Sequence, residues 1–256
     1  MIFYIKEPYK SEEIIKVLNP IVKEWFFSKF KDFSIPQLYG VMEVHNRNNL
    51  LLSAPTGSGK TITGFLSILN ELVNLLISNA LENKVYCVYI SPLKALNSDI
   101  AVNLNGPLSE MKEIAKRQGI DLGIRVGVRT GDTSPYERQK MLKSPPHVLI
   151  TTPESLALML SSIKFRELIH NVWWCIVDEI HSLGENKRGV DLSLALERLN
   201  EISPDMVRIG LSATCEPIEE IAKFLVGNNR ECKIANVQFL KKYELNVLVP
   251  TKDLVN

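Results

Sequence analysis

The stretch Ala54-Pro55-Thr56-Gly57-Ser58-Gly59-Lys60-Thr61 decides the fold that this sequence predicts. It follows a short apolar run, Leu50-Leu51-Leu52, and it precedes a long apolar-periodic stretch over 62–77. A buried strand, a glycine-containing turn and a helix start are the layout of a phosphate-binding loop.

The residue types of this loop match the chemistry of phosphate binding. Gly57 and Gly59 let the backbone bend tightly and turn its N–H groups inward. Lys60 supplies a charge for the β- and γ-phosphates, and the Thr61 hydroxyl is a ligand for Mg²⁺. One residue departs from the usual pattern, which begins with glycine where this chain has Ala54. The predicted nucleotide contacts within the loop are Thr56, Gly57, Ser58, Gly59, Lys60 and Thr61.

A second acidic segment completes the predicted chemistry. The apolar run over 172–177 is typical of a strand buried on both faces, and it ends in Asp178-Glu179. Two carboxylates thus lie at the carboxyl edge of a parallel sheet, where α/β proteins bind ligands. Asp178 is the predicted Mg²⁺ partner, through water, and Glu179 is placed to orient or deprotonate the attacking water. A solvated helix cap would explain the acidic pair alone, but with the phosphate loop it indicates a Mg²⁺-dependent nucleoside triphosphatase.

Composition narrows the class of protein further. The chain has 256 residues, 45% of them apolar, and a formal net charge of only +1. No apolar stretch approaches the ~20 residues that span a bilayer, and Met1–Lys10 lacks a signal-peptide core, so we expect a cytoplasmic protein without a membrane partner. A nucleic-acid partner would have to be held by local loops rather than by bulk charge. The four cysteines form no C-x-x-C pair, and we expect no zinc site.

Strand-like and helical runs alternate through most of the chain. Strand-like runs lie at 50–53, 84–91, 124–129, 147–151, 172–177 and 207–211, and helical patterns lie at 36–47, 62–80, 94–118, 135–143, 154–170, 191–202 and 217–226. This alternation predicts an α/β fold with a mostly parallel sheet and helices on both faces.

The two ends of the chain differ from this pattern. We predict an N-terminal helical segment over 1–30, with helices at 11–17 and 19–30. The main nucleotide-binding domain is expected over 31–228. Residues 231–236 and 239–249 look extended, and 229–256 is interpreted as a connector towards a second domain.

Seven short motifs then follow one another along the chain. In order they are Phe33-Ser34-Ile35-Pro36-Gln37, the phosphate loop, Ser91-Pro92-Leu93-Lys94-Ala95-Leu96, Thr130-Gly131-Asp132-Thr133, Thr151-Thr152-Pro153-Glu154-Ser155, Asp178-Glu179-Ile180-His181 and Ser212-Ala213-Thr214. They resemble the Q motif and motifs I, Ia, Ic, Ib, II and III of superfamily 2 DEAD/DEAH-like helicases, in which Ala54 is normal. Asn186-Lys187-Arg188-Gly189 and Arg208-Ile209-Gly210-Leu211 are similar to the large-helicase-related (Lhr) group, which is close to the Ski2-like helicases and occurs in archaea and bacteria.

This resemblance covers about residues 30–227 and implies the first RecA-like domain of an ATP-dependent 3′-to-5′ helicase or translocase. Its cofactors would be ATP and Mg²⁺, and its partner single-stranded DNA, with RNA possible. The second RecA-like domain, with its arginine fingers, and the family's C-terminal domains are not in this sequence. We therefore expect a monomeric fragment that binds ATP weakly and hydrolyses it poorly.

The resemblance also gives roles to residues outside the phosphate loop. The Gln37 amide matches the adenine edge, and Phe33 would pack near the base, although a polar residue after Pro36 is also an ordinary helix start. His181 would link the nucleotide site to Ser212 and Thr214, and this coupling role rests on resemblance.

Loops that end strands would contact the nucleic-acid backbone. The predicted residues are Pro92, Lys94, Arg129, Thr130, Gly131, Thr152 and Pro153. Without the family context, the same segments are strand punctuation, a Gly-Asp turn and a good helix start. Trp173 and Trp174 could stack on bases, but within a buried strand core packing is favoured.

Three other functions stay open from the sequence. One is an RNA-directed helicase of the Ski2-like group, and another is a translocase that never unwinds. A third, of a different class, is a nucleotide-gated binding module that acts as a single domain.

Overall fold

The computed structural model describes residues 1–91, 104–184 and 187–237. Within these ranges eight strands form one sheet, and every neighbouring pair is parallel. The strands are β1 (Ile2–Tyr4), β2 (Leu50–Ser53), β3 (Cys87–Ile90), β4 (Val126–Arg129), β5 (Val148–Thr151), β6 (Trp174–Val177), β7 (Val207–Ser212) and β8 (Cys232–Asn236). Their order across the sheet is β1-β8-β2-β7-β6-β3-β5-β4.

Ten α-helices in the described ranges cover the sheet. They are α1 (Ser11–Val17), α2 (Pro20–Lys29), α3 (Ile35–His45), α4 (Lys60–Ile77), α5 (Gly106–Arg117), α6 (Pro135–Lys143), α7 (Pro153–Leu160), α8 (Ile163–Leu168), α9 (Lys187–Ile202) and α10 (Ile218–Val226). A short 3₁₀ helix spans Ile180–Ser182.

The sheet separates two hydrophobic cores because successive side chains of a strand point to opposite faces. In β2, Leu50 and Leu52 belong to the core that packs against α1 to α5. Leu51 lies between them in sequence but belongs to the other core, which packs against α7, α9 and α10. The predicted α/β fold, with a parallel sheet covered on both faces, is confirmed.

Polar caps followed by proline begin several helices. Asn19 caps α2 by accepting a hydrogen bond from the Ile21 N–H at 3.0 Å. Ser134 caps α6, and Thr152 caps α7, each directly before a proline at the first helical position. Proline is favoured there because its fixed φ suits the helix and its missing N–H would have no partner in the helix.

All six strands predicted between 50 and 211 are present, and β2 has the predicted limits. The predicted helix over 154–170 is wrong in one respect, because the chain breaks it into α7 and α8 at Ser161 and Ser162. Serine side chains compete with the helical hydrogen bonds of the backbone, and Ser162 takes an extended conformation before α8. Of the helix predicted over 94–118, residues 94–103 lie outside the described residues.

Two strands lie beyond the range predicted for the main domain. β8 pairs with β2 in register Leu50↔Lys233, and β1 pairs with β8 in register Ile2↔Cys232. The interpretation of 229–256 as a connector is therefore wrong for β8, because the backbone of this strand completes the sheet beside β2. Residues 238–256 lie outside the described residues.

The tryptophans pack inside the fold, as predicted. Trp174 is 1% exposed, and Trp173 packs against the same core. The Arg47 guanidinium lies 4.5 Å from the ring centroid of Trp173 and 3.9 Å from that of Trp174. This cation–π contact of one guanidinium with two rings stabilises the amino edge of the sheet.

Among the described residues, α4 alone has the length and hydropathy of a membrane span. The share of this helix that is buried inside the fold is 61%. It packs against α3 and contributes to the core on one face of the sheet, and it begins at Lys60, the lysine of the loop. The length and hydropathy of α4 are therefore closer to those of a membrane span than we expected from the sequence. In this fold α4 packs as a core helix.

Candidate nucleotide site and nucleic-acid face

The loop between β2 and α4 lies at the carboxyl edge of the sheet. Gly57 has φ 76° and Gly59 has φ 92°, and L side chains rarely adopt this left-handed region. A Cβ at Gly57 would meet no atom within 4 Å among the described residues, so the loop backbone there is open. The loop therefore presents an open turn directly before the N-terminus of α4, as a bound phosphate requires.

Lys60 points back into this loop. Its ammonium group donates to the carbonyls of Ala54 at 2.6 Å and Pro55 at 3.2 Å, and the residue is 6% exposed. Burial lowers the pKa of Lys60, whereas the charges of Glu179 and Asp178 raise it. The lysine charge thus lies between the loop and the acidic segment. Thr61, the next residue, is half-buried, and Thr56 is exposed.

Two hydroxyl groups near the loop have unused hydrogen-bonding capacity. The Ser58 and Ser34 Oγ atoms are buried without a hydrogen-bond partner among the described residues. Ser34 Oγ would lie 3.4 Å from a Cβ at Gly59. Buried polar atoms without partners are rare in native proteins, and a ligand in the loop is one explanation for them.

Gln37 lies against the loop but is partly engaged. Its Oε1 accepts from the Ser34 N–H at 2.7 Å, and its Nε2 would lie 3.5 Å from a Cβ at Gly59. The residue is 3% exposed. Its amide oxygen therefore caps α3, and its NH₂ group faces the phosphate loop.

Phe33 lies in an aromatic cluster with α2. Its ring stacks on Phe26 with centroids 4.6 Å apart and meets the edge of Phe27 at 5.7 Å. Phe33 is 7% exposed. The aromatic cluster with α2 therefore holds this ring in the core, and the packing of Phe33 near the base stays a prediction.

The acidic segment begins where β6 ends. The Asp178 N–H donates to the Ile90 carbonyl at 2.8 Å, which holds the segment to β3. One carboxylate oxygen of Asp178 accepts from the Tyr89 hydroxyl, and the other accepts from the Glu179 N–H at 2.9 Å. Burial is the main cause that raises the pKa of Asp178, and the Tyr89 hydrogen bond opposes it.

Glu179 has a strained backbone. Its φ of 48° and ψ of 39° lie in the left-handed region, which is unfavourable for a residue with a side chain. Such strain is found at functional sites when surrounding contacts hold it. Here the backbone carbonyl of Glu179 accepts from the Ser182 N–H at 2.9 Å and from the Ser182 hydroxyl at 2.8 Å.

His181 joins the acidic segment to the end of β7. Its Nε2 lies 3.3 Å from Glu179 Oε2, and its Nδ1 accepts from the Ala213 N–H at 3.2 Å. Because Nδ1 accepts, the proton of the neutral ring is on Nε2, facing the carboxylate. The Ser212 hydroxyl also lies 3.2 Å from Nδ1. The two predicted coupling residues therefore differ in their placement. Ser212 belongs to this chain of contacts, whereas Thr214 is exposed.

The predicted nucleic-acid face lies at the ends of β4 and β5. Pro92 and Lys94 lie outside the described residues. Arg129 is 6% exposed, its Nη1 donates to the Thr130 carbonyl, and its guanidinium lies 5.5 Å from the Phe165 ring centroid. Burial lowers the pKa of Arg129, and Arg138 lowers it further. The last residue of β4 thus directs its side chain inward, a placement that does not favour the predicted phosphate contact of Arg129.

The loop after β4 is held by its own contacts. The Thr130 N–H donates to Thr133 Oγ1 at 2.8 Å. Arg138 donates to the carbonyls of Thr133 at 2.8 Å and Gly131 at 3.1 Å. Gly131 itself is exposed, and a Cβ built there would meet nothing within 4 Å among the described residues. Backbone at Gly131 is thus accessible from outside.

Thr152 and Pro153 have structural roles at the start of α7. Thr152 Oγ1 accepts from the Ser155 N–H at 3.3 Å, and Pro153 is buried. The Thr151 hydroxyl donates to the Arg129 carbonyl at 2.7 Å, which ties this loop to β4. The two loops therefore form one ordered surface beside the nucleotide site.

The donor set suits a metal that is shared with phosphate. Among the described residues, no three His, Cys, Asp or Glu side chains gather as an all-protein metal site requires. Mg²⁺ is usually held by one or two carboxylates together with waters and substrate phosphates. The Thr61 hydroxyl and the Asp178 carboxylate fit that arrangement, since Lys60 directly before Thr61 supplies a charge for phosphate and interacts with the charge of Asp178.

Two residues with roles at the site were not predicted. From the sequence, Tyr89 looks like a core residue of an apolar strand. The feature that could have identified it is its position on β3, the strand that pairs with β6 and so lies next to Asp178. Arg138 reads as a surface charge of α6, and only the fold brings it to the preceding loop.

The sheet, the phosphate loop and the acidic strand end define this protein as a RecA-like P-loop domain. The DEAD/DEAH box helicase family profile matches residues 34–222, and the chain belongs to this family. It is 54% identical over 251 residues to the ATP-dependent helicase Lhr-Core of Methanothermobacter thermautotrophicus, covering 96% of this chain and 29% of the relative. The similarity to the Lhr group expected from the sequence is confirmed.

More distant relatives agree with this assignment. The Lhr helicase/probable uracil glycosylase of Mycolicibacterium smegmatis is 42% identical over 240 residues, covering 93% of this chain and 16% of the relative. A solved structure of Mycobacterium smegmatis helicase Lhr bound to ssDNA and AMP-PNP superposes with a TM-score of 0.82 at 41% identity. It covers 94% of this chain and 30% of that one. The chain spans less than a third of the length of these relatives.

Proposed function

We propose that this chain is the ATP-binding motor domain of a 3′-to-5′ DNA helicase or translocase of Lhr type. One observation carries the proposal, namely the contacts that run from Glu179 through His181 to the end of β7. They join the predicted catalytic acid to a loop beside the phosphate loop, since the Ala54 N–H donates to the Ser212 carbonyl at 3.1 Å. These contacts would let a change at the γ-phosphate reach backbone outside the nucleotide site.

The residues of the chain would divide the work of ATP hydrolysis. Lys60 and the N–H groups of the loop would hold the β- and γ-phosphates, and Thr61 and Asp178 would hold Mg²⁺. Bound Mg²⁺ would neutralise charge on the phosphate oxygens. Glu179, whose Oε2 lies 3.3 Å from His181 Nε2, would orient the attacking water or take its proton. Because its Oε1 already accepts from the Ser34 N–H, Gln37 would have only its NH₂ group, beside the phosphate loop, to offer to adenine.

Two further parts of the proposal come from outside this chain. A second RecA-like domain would supply arginine fingers, which are worth about 10³–10⁵ in rate, so the chain alone should hydrolyse ATP poorly. Single-stranded DNA is proposed as the partner because the solved Lhr relative is bound to ssDNA. The accessible backbone at Gly131 supports a contact with sugar and phosphate rather than with bases.

The test is ATP hydrolysis by a polypeptide that carries both RecA-like domains, with single-stranded DNA, with RNA or with neither. We expect DNA to stimulate hydrolysis more than RNA does. A duplex with a 3′ tail should be unwound faster than one with a 5′ tail. Greater stimulation by RNA would favour an RNA-directed motor, and hydrolysis without unwinding would favour a translocase. A chain that binds ATP and DNA but shows no stimulated hydrolysis would contradict the motor function.

Glu179→Gln is the negative control for this test, and Glu201→Gln is its matched control. Glu201 is an exposed acid of α9, so its substitution removes the same charge away from the site. Only Glu179→Gln should abolish stimulated hydrolysis.

A further inference from the structure

The position of Tyr89 on β3 brings its side chain to the acidic segment. The register pairs Tyr89 with Ile176 of β6, and Asp178 follows two residues later on the same face. Tyr89 is 4% exposed, so its hydroxyl is enclosed by protein. An aromatic side chain on this face is long enough to reach past its direct partner to the strand end.

The Tyr89 ring also contacts the helix that follows the phosphate loop. Its centroid lies 5.1 Å from that of Phe65, with the two planes inclined by 33°. Phe65 is 3% exposed and belongs to α4, which begins at Lys60. The ring of Tyr89 thus occupies a fixed place between the phosphate-loop helix and the acidic strand.

The hydroxyl of Tyr89 donates to Asp178 Oδ2, while the Glu179 N–H donates to Oδ1 at 2.9 Å. Each carboxylate oxygen therefore has one donor that fixes its direction. An ionised carboxylate has about four lone-pair sites, so each oxygen keeps capacity for a further ligand such as a metal-bound water. The two donors orient the carboxylate and leave hydrogen-bonding capacity on each of its oxygens.

We propose that Tyr89 is a positioning residue that holds the Asp178 carboxylate in the direction required for magnesium-bound nucleotide. This inference deepens the proposed function and rests on it. Tyr89 acts through Asp178, and it makes no contact with the nucleotide in this role. A side chain fixed by packing and by a second hydrogen bond loses less freedom when it engages a ligand, which strengthens binding.

The test compares the chain with its Tyr89→Phe variant, which keeps the ring on Phe65 and removes the hydroxyl. We would titrate Mg²⁺ at a fixed concentration of a fluorescent ATP analogue and measure the concentration that gives half-maximal binding. We expect this concentration to rise about tenfold, which corresponds to about 1.4 kcal/mol. Binding of the analogue in EDTA and the melting temperature should stay as in the parent chain.

Tyr86→Phe is the matched control. Tyr86 lies on the same segment, is fully buried, and its hydroxyl accepts from the Glu82 N–H at 2.9 Å at the opposite edge of the sheet. Its substitution removes the same atom from the same kind of residue, and the Mg²⁺ requirement should not change. In a chain with Asp178→Asn, adding Tyr89→Phe should change the Mg²⁺ requirement by less than about twofold, because the carboxylate that it positions is gone.

The outcomes separate this inference from the function on which it rests. An unchanged or lowered Mg²⁺ requirement in Tyr89→Phe, with normal binding by the parent chain, overturns the role of Tyr89 alone. An equal rise in Tyr86→Phe also overturns it, because the effect would then be general. If the parent chain shows no Mg²⁺-dependent nucleotide binding, the proposed function fails and this inference fails with it.

Discussion

The carboxyl edge of the sheet has two halves that use their polar residues differently. In the nucleotide half, at the ends of β2, β6 and β7, polar groups contact one another between strands, as His181 does with Glu179 and Ala213. In the half predicted to contact nucleic acid, at the ends of β4 and β5, the contacts of Arg129 and Thr152 stabilise the loops themselves.

The two halves differ in where their charged residues lie relative to the ends of the strands. Asp178 follows the last residue of β6, so its carboxylate lies beyond the packed strand. Arg129 is the last residue of β4, and its side chain is directed onto Phe165 instead. A shift of one position relative to a strand end thus separates an acid at the edge of the sheet from an arginine packed on an aromatic ring.

The largest expected effect is that of Lys60→Ala on nucleotide binding. Removing a charge that the loop encloses should weaken ATP binding by about 10³-fold, or about 4.1 kcal/mol, while the unfolding free energy falls by less than about 1 kcal/mol. Calorimetric titration with ATP and a thermal melt measure the two quantities. Lys112→Ala, an exposed lysine of α5, is the matched control. Normal ATP affinity in the folded Lys60 variant would contradict the assignment of this half of the sheet edge to nucleotide binding.

Glu179→Gln should have the next largest effect, on turnover rather than on binding. In a polypeptide with both RecA-like domains, we expect steady-state hydrolysis to fall by at least ~10²-fold, the scale for loss of a catalytic base. The affinity for Mg·ATP should stay within about threefold, because Glu179 has no predicted phosphate or metal contact. Phosphate release and ATP binding would be measured on the same preparation. Hydrolysis at the parental rate would mean that another group handles the water.

Arg129→Ala sharpens the other half of the comparison. Its burial on Phe165 predicts a loss of stability of about 2 kcal/mol from packing and cation–π contact. The dependence of single-stranded DNA binding on salt should change by less than about 0.3 in log–log slope. Denaturant unfolding and DNA titrations at several salt concentrations are the measurements, with the exposed Arg166→Ala as control. A slope reduced by about one unit at unchanged stability would show a phosphate contact and break the comparison.

The smallest expected effect is that of Thr152→Ala, at the N-terminus of α7. Loss of the cap to the Ser155 N–H should cost about 1 kcal/mol of stability, and Thr152→Ser should restore most of it. Chemical denaturation of the three proteins measures this difference. We expect the DNA affinity to follow stability only weakly. A large loss of affinity in both variants would mean that the threonine methyl group, rather than the cap, matters at this face.

How far the sequence determines these features depends on the range of the contacts involved. The limits of β2 follow from a short apolar run with Asn49 before it and the phosphate loop after it. The roles of Lys60 and Asp178 follow from local motifs in the same way. The three-residue strand β1 was missed because so short an edge strand has little pattern, and its pairing with β8 is long-range. Likewise, Tyr89 gained its partner only through the register of β3 and β6.

The order of the strands across the sheet also sets the order in which the phosphate loop can be completed during synthesis. β2, the strand before the phosphate loop, lies between β7 and β8. Both of its edges therefore stay unpaired until these later residues have been synthesised. Contacts between distant parts of a chain form slowly, because the chain loses loop-closure entropy before it gains the contacts. A nascent chain that has not reached Asn236 has an unpaired edge at Leu50–Ser53, the kind of edge that invites pairing with other chains. The strand that carries the phosphate loop is therefore paired on both edges only after Asn236 has been made.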